Sequence, residues 1–246
     1  THQKDETIAA LLHDVGTPCF AHCIDYVFGD YINQESSERS IVDIIKKDSE
    51  LLAYLKADEI KLTDLEVLNN YHILENKSPK LCTDRLDGVL HTCYIWLQTH
   101  SLRAIKEVYD NIEVLENEDG IFEIGFQSIE IANKFVNMVF NYATELQKNT
   151  DKYVMKYISE VIKIAVARKL ISYEDLYTLK ESEICKIIKT NFSSWKIFEN
   201  ATILVNTNEL PKNNFFVSFE TKKRNVIPLV KVKTKISRIN EVSEYA

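Results

Sequence analysis

The sequence predicts a mainly α-helical protein with a small antiparallel β element at its C-terminus. Three observations carry this reading. Apolar residues recur at helical spacing from the start of the chain to about Asn200. Gly and Pro number only five and four in 246 residues, which favours long helices over many turns. After Asn200 the apolar period shortens from 3.6 to 2. Residues 1–200 are therefore expected to form one helical domain, and residues 201–246 a β appendage packed on it.

The first helix runs from Asp5 to Leu12, with Ile8, Leu11 and Leu12 as its buried face. His2, before it, reads as a surface residue. The helix closes on His13-Asp14, an imidazole and a carboxylate that are both metal-ligand types. Gly16 stops it, and Thr17-Pro18 reads as an N-cap followed by a first helical residue. The second helix is then expected over Pro18 to Phe28, ended by Gly29. On it His22 and Asp25 are three apart and share a face. Spacing alone gives a surface ion pair; in a site, Asp25 would orient the imidazole and raise its basicity.

Ser36 or Ser37 can cap the next helix, Ile41 to Lys47. Glu35 belongs either to that capping segment or to an active site. Short helices follow at Ser49 to Lys56 and Leu62 to Asn69. Tyr71 to Leu74 reads as extended or irregular, and Asn76 to Pro79 as a break. The helix Leu81 to Leu97 places Asp84, Asp87 and His91 on one face, at i, i+3 and i+7. Two carboxylates and an imidazole on one stripe point to a site, although His91 alone reads more readily as a core histidine.

Further helices are expected at Ser101 to Leu115, Ser128 to Lys148, Val154 to Leu170 (capped by Asp151), Tyr173 to Leu179, Ser182 to Thr190 and Ser193 to Asn200. A strand-like piece, Ile121 to Ile124, interrupts them. The C-terminal strands are expected at Thr202 to Val205, Phe215 to Glu220 and Val226 to Lys235. Lys231, Lys233 and Lys235 lie on one face of the last. They read as protection of a sheet edge, or as a lip for phosphate or a neighbouring subunit.

A net charge of −7 gives no general attraction to nucleic acid or to anionic membrane. No apolar run approaches the ~20 residues of a membrane span. The five cysteines, Cys19, Cys23, Cys82, Cys93 and Cys185, are odd in number and lack CxxC spacing. Free thiols in a reducing compartment, hence a cytoplasmic protein, are expected.

The run His13-Asp14-Val15-Gly16-Thr17-Pro18-Cys19-Phe20-Ala21-His22 resembles the signature of the HD-domain metal-dependent phosphohydrolases. It is nearest to the deoxynucleoside-triphosphate triphosphohydrolase branch, the dGTPase and SAM-and-HD-domain proteins, whose motif is approximately H-D-[IVL]-G-H-x-P-F-x-H. Thr83-Asp84-Arg85-Leu86-Asp87-Gly88 resembles that family's last metal-binding helix, D-[RK]-x-D-[YF]. The resemblance implies an HD-domain helical bundle that hydrolyses nucleotides with a divalent metal ion (Mg, Mn, Fe, Ni, Co or Zn). It implies His13, Asp14 and Asp84 as ligands, with a fourth, histidine, ligand upstream of Thr1 on an N-terminal part of the domain not contained here.

By the same resemblance His22, beside Asp25, faces the phosphates, and Gln34-Glu35 aligns with a His-Glu pair near the leaving phosphate. Arg85, Asp87 and His91 fall on the substrate side. Arg85 can reach a phosphate oxygen or make a structural ion pair. The expected partner is a nucleotide or other phosphorylated small molecule, with homo-oligomer formation possible in this family. Thr17, Gln34 and Gly88 depart from the family pattern of His, His and an aromatic residue. Neither Thr nor Gln is a general acid near neutral pH, so protonation of the leaving group falls to His22 or Glu35. The alternative is a catalytically weak HD protein that binds a nucleotide and acts through assembly or partners.

Overall fold

The computed structural model describes residues 2–32, 41–66, 71–209, 211–218 and 222–244. The protein is mainly α-helical with one small four-stranded sheet. Its contacts divide into two compact units, both discontinuous in sequence. The first comprises residues 1–13, 45–145 and 223–246; the second comprises 14–44 and 146–222. This division cuts the chain differently from the expected boundary near residue 200.

In the first unit α1 spans His2–Leu12, α4 Ser49–Ala57 and α5 Leu62–Glu66. Asp48 caps α4, its carboxylate accepting from the amides of Glu50 and Leu51 at 3.0 Å each. Helix α6 spans Thr83–His91 and runs into a π-helical turn, Thr92–Trp96. Helix α7 spans Leu102–Tyr109, with Ser101 at its cap as expected. It is followed by β1 (Ile112–Glu116), β2 (Phe122–Phe126) and α8 (Ile129–Leu146). Strands β3 (Leu229–Val232) and β4 (Lys235–Arg238) and the short α13 (Ile239–Val242) complete the unit. Leu86, Val89 and Leu90 of α6, Phe126 of β2, Phe135 of α8 and Val230 of β3 meet in one core.

The expected helix from Ser101 to Leu115 is thus two elements. Asn111 closes the turn after α7, and residues 112–116 pair antiparallel with 122–126. The hairpin turn is organised by Asn117, whose side-chain oxygen accepts from the amides of Asp119 (2.9 Å) and Ile121 (3.0 Å).

The sheet order is β1-β2-β3-β4, with β2 and β3 parallel and the other pairs antiparallel. The C-terminal strands are therefore not a separate antiparallel appendage; they extend the 112–126 hairpin into a mixed sheet. Gly125 sits where three strands cross closely. A Cβ there would lie 2.7 Å from both the Leu229 carbonyl oxygen and Leu115 Cδ1. Lys231 lies on an inner strand and is paired with Glu113 at 2.8 Å, while Lys233 occupies the β3–β4 turn at φ 56. The three lysines thus form no single row along an edge.

The second unit contains α2 (Cys23–Phe28), α9 (Asn149–Ala167), α10 (Asp175–Thr178), α11 (Glu181–Asn191) and α12 (Ser193–Asn200). Ile24, Val27, Ile162, Leu176, Ile184 and Trp195 are among the core residues of this unit. The short α3 (Ile41–Ile45) spans the point at which the chain passes from the second unit to the first. Gly29 ends α2 at φ 83, as its position suggested. Asp151 lies inside the first turn of α9 and does not cap it.

The expected strand Thr202 to Val205 is irregular, with no strand partner among the described residues, and Ile203 and Val205 are 82% and 76% exposed. The described part of the second expected strand, 215–218, is likewise irregular. Phe215 instead packs edge-on against Tyr153 and Tyr157 of α9, at 5.3 and 5.6 Å between ring centroids.

Candidate functional site

Helix α1 ends at Leu12, and His13–Gly16 tighten into a single 3-10 turn. His13 Nδ1 lies 2.7 Å from the Ala10 carbonyl oxygen. A carbonyl only accepts, so Nδ1 carries the proton. In the neutral ring Nε2 is then an acceptor. It faces Oδ1 of Asp84, also an acceptor, at 3.3 Å.

Two lone pairs held face to face require a positive charge between them. A proton would make an imidazolium–carboxylate bond, for which ~2.7–2.9 Å is usual. Two ligands of one divalent ion, each at ~2.0–2.2 Å, stand roughly 3.0–3.5 Å apart. The observed 3.3 Å is long for the first and within the range of the second. A backbone carbonyl behind the ring is also a common device for fixing a metal-binding imidazole. The pair is accessible to solvent, with 26% and 46% side-chain exposure.

Asp84 is placed by the loop before α6. The amide and hydroxyl of Thr83 donate to the Ile73 carbonyl at 2.7 and 2.8 Å, and the Asp84 amide donates to the Leu74 carbonyl at 3.3 Å. Asp14 stands exposed on the 3-10 turn, where its carbonyl accepts from the Thr17 amide at 3.0 Å. Among the described residues no group of three or more His, Cys, Asp or Glu side chains comes together as a metal site. Two of the three expected ligands, His13 and Asp84, are paired; the full three are not gathered as a group.

The guanidinium of Arg85 is engaged by its own loop. Nη1 donates to the side-chain oxygen of Asn76 at 3.0 Å and to the Lys80 carbonyl, and Nη2 donates to the Asn76 carbonyl at 2.8 Å. Glu75 lies 3.6 Å from Nη2. Arg85 is therefore a clamp on residues 75–80. Nothing in the sequence singles out Glu75, which lies in an irregular stretch. Burial, and next the charge of Asp84, push its carboxyl above the ordinary range, against the pull of Arg85 and His13. It belongs to the electrostatic surroundings of the His13–Asp84 pair.

Asp87 and His91 are exposed on α6, opposite the buried Leu86, Val89 and Leu90. His91 is thus no core histidine. A Cβ added at Gly88 would meet nothing within 4 Å, so packing does not dictate a glycine where the HD pattern carries an aromatic residue.

The expected helix from Pro18 begins only at Cys23. Phe20 and Ala21 intervene at φ 62 and φ 37, a left-handed conformation that is costly for residues with a Cβ. Backbone amides hold this corner: that of Cys19 donates to the Leu176 carbonyl at 2.8 Å and that of Phe20 to the Glu181 carboxylate at 3.2 Å. The corner ends at His22, whose Nδ1 donates to Oδ2 of Asp25 at 3.0 Å. Asp25 is fully buried, and the His22 side chain is 49% exposed. A buried carboxylate that fixes Nδ1–H sets the orientation of this half-exposed ring. Gln34 and Glu35 lie outside the described residues.

No family model matches the chain, and no solved structure matches it. It is similar to the uncharacterized protein YdhJ of Bacillus subtilis, with 28% identity over 196 residues, 76% of this chain and 55% of the relative. It is also similar to the uncharacterized protein MG461 of Mycoplasma genitalium, with 26% identity over 132 residues, 49% of this chain and 31% of the relative. The chain thus spans about half the length of the first relative and a third of the second. No helix among the described residues is long and apolar enough to cross a membrane.

Proposed function

We propose that this chain carries the ligand core of a metal-dependent phosphohydrolase acting on a nucleotide, of the HD type that its sequence resembles. The observation that supports it is the facing of His13 Nε2 and Asp84 Oδ1 at 3.3 Å, with Nδ1 committed to Ala10. A divalent ion held there would lower the pKa of a bound water and neutralise phosphate charge. His13 contributes an orientation that its own helix fixes, and Asp84 a carboxylate whose position the 73–74 carbonyls fix. His22, with Nδ1–H held by Asp25, is assigned by the resemblance to the substrate phosphate or the leaving oxygen, donating a proton from Nε2.

A second reading has its own support, because only two of the three expected ligands are gathered among the described residues. In it the chain binds a nucleotide without turning it over and acts through assembly or partners.

The test is release of triphosphate, pyrophosphate and phosphate, assayed separately over a panel of dNTPs and dNMPs with Mn²⁺, Mg²⁺, Ni²⁺, Co²⁺ and Zn²⁺. Triphosphate release is expected ahead of phosphomonoester hydrolysis. Loss of release and of bound metal in His13→Ala and Asp84→Asn, with helix content retained, supports the enzyme. Nucleotide binding without release above a metal-free control supports the binding protein instead.

A further inference from the structure

Residues 202–206 of the second unit have the composition of a strand and no strand to join. Their Thr, Ile, Leu and Val favour extended pairing, yet the stretch is irregular and none of its backbone groups bonds another backbone group among the described residues. Ile203 and Val205 are 82% and 76% exposed, while Leu204 between them is half-buried. Ile197 on α12 is also 75% exposed. Both ends of the stretch are pinned. The Ala201 amide donates to the Phe198 carbonyl at 3.2 Å, and Asn149 Nδ2 on α9 donates to Oδ1 of Asn206 at 2.8 Å. A row of open N–H and C=O groups beside β-branched side chains is a template for another strand. Pinned ends lower the ordering cost of taking one up.

The segment itself selects its partner. Thr202, Ile203, Leu204, Val205 and Asn206 run polar, β-branched, leucine, β-branched, polar, the same in either direction. No charged residue occurs from Asn200 to Asn208, so the run meets its own copy without like charges opposed. Two-fold pairing demands such a self-complementary patch. We propose that this chain forms a two-fold dimer in which 202–206 pairs antiparallel with the same residues of a second copy, centred on Leu204. Ile203 then lies opposite the partner's Val205, and Thr202 opposite the partner's Asn206. This register keeps the exposed β-branched side chains of both copies on one face. A two-stranded contact is marginal alone and buries little area, so the dimer is weak, with a Kd of about 10–100 µM. None of these residues belongs to the His13–Asp84 or His22–Asp25 pairs, and the dimer holds under either reading of the site.

The test is sedimentation equilibrium of the full chain at low ionic strength, from about 1 to 300 µM, with hydrogen exchange read at residues 201–208. A reversible monomer–dimer equilibrium is expected, with exchange at 202–206 slowing as the dimer fills. Ile203→Lys with Val205→Lys opposes like charges at both cross-strand positions and should weaken the dimer at least about tenfold. Ile203→Lys with Val205→Glu opposes unlike charges in the same register and should dimerise about tenfold or more tighter than the double-lysine variant. Both side chains stand in solvent in the monomer, so circular dichroism and melting temperature should stay unchanged. Should either variant fail to fold, the concentration dependence of exchange in the unmodified chain decides. A monomer at every concentration, a dimer that leaves 202–206 unprotected, or equal affinities of the two folded variants would each overturn the proposal and leave the segment to an extended strand of another protein.

Discussion

Arg238 Nη2 lies 2.9 Å from Oε2 of Glu123, a carboxylate only 1% exposed. The same guanidinium bonds Glu118 and the Ile227 carbonyl, and Asn117 donates to Glu123 at 2.9 Å. One arginine on the last strand thus neutralises a carboxylate buried in the first hairpin. Removing only the arginine strands that charge, which costs about 3–5 kcal/mol for buried pairs. Arg238→Met should lower the unfolding free energy by about that amount in a urea titration. The double variant Arg238→Met with Glu123→Leu should recover most of it. Equal losses in single and double variants would show that the pair is not the cause.

Glu118 supplies a pH dependence of known sign. Its own backbone amide and then Arg238 hold its carboxyl below the ordinary value of 4.5. A depressed folded-state value means the folded protein binds fewer protons than the unfolded chain. The stabilisation is present above the unfolded value and is lost as pH falls through the lower, folded one. Melting temperature should therefore fall on acidification below about pH 4.5, and less steeply in Glu118→Gln. The side chain is largely exposed, so the difference should shrink in high salt.

Gly125 is held by the close approach of β1, β2 and β3. The Leu229 carbonyl oxygen is backbone and cannot turn aside from an added methyl group 2.7 Å away. Gly125→Ala should destabilise the protein by about 1–3 kcal/mol, the usual cost of overpacking, measured by urea unfolding. Gly88→Ala, in open space, should be neutral or slightly stabilising, because alanine is the better helix former.

His22 and Asp25 separate a chemical role from a structural one. A positioned acid contributes ~10²–10⁴-fold to rate. If the chain is the hydrolase proposed above, His22→Gln should reduce turnover by about that factor while leaving bound metal and melting temperature nearly unchanged. Asp25→Asn should cost less in turnover and more in stability, because the buried residue orients the ring and does not touch the substrate. A fall in stability without loss of turnover per folded molecule in His22→Gln would leave the pair purely structural.

The sequence reveals most where the chain interacts with itself locally. Ser101 as a cap, Gly29 as a helix stop, the helix Ser193–Asn200 and the His22–Asp25 pair all follow from spacings of a few residues. It misleads where distant partners decide. Residues 112–116 continue a plausible helix until their pairing with 122–126 is known. Residues 202–205 alternate like a strand, yet no neighbouring strand among the described residues takes them up. In the candidate site, the pairing of His13 with Asp84 is readable from two motifs 71 positions apart. The Ala10 and Ile73 carbonyls that aim those side chains are not, since backbone oxygens leave no mark in composition. Nor is the commitment of Arg85 to Asn76 and Lys80, which depends on how the 75–80 loop closes.

The bond from His13 Nδ1 to the Ala10 carbonyl joins the chemistry of a side chain to the integrity of a helix end. Helix ends fray, and each opening of the last turn of α1 releases Nδ1–H, frees the ring to rotate and lets the proton move to Nε2. On the proposed metal reading, only the closed turn presents a lone pair to a cation between His13 and Asp84. Apparent affinity for that cation is then the intrinsic affinity scaled by the fraction of time the turn is closed. By reciprocity the bound cation should slow hydrogen exchange at the end of α1, and substitutions that loosen this turn should weaken binding without touching either ligand.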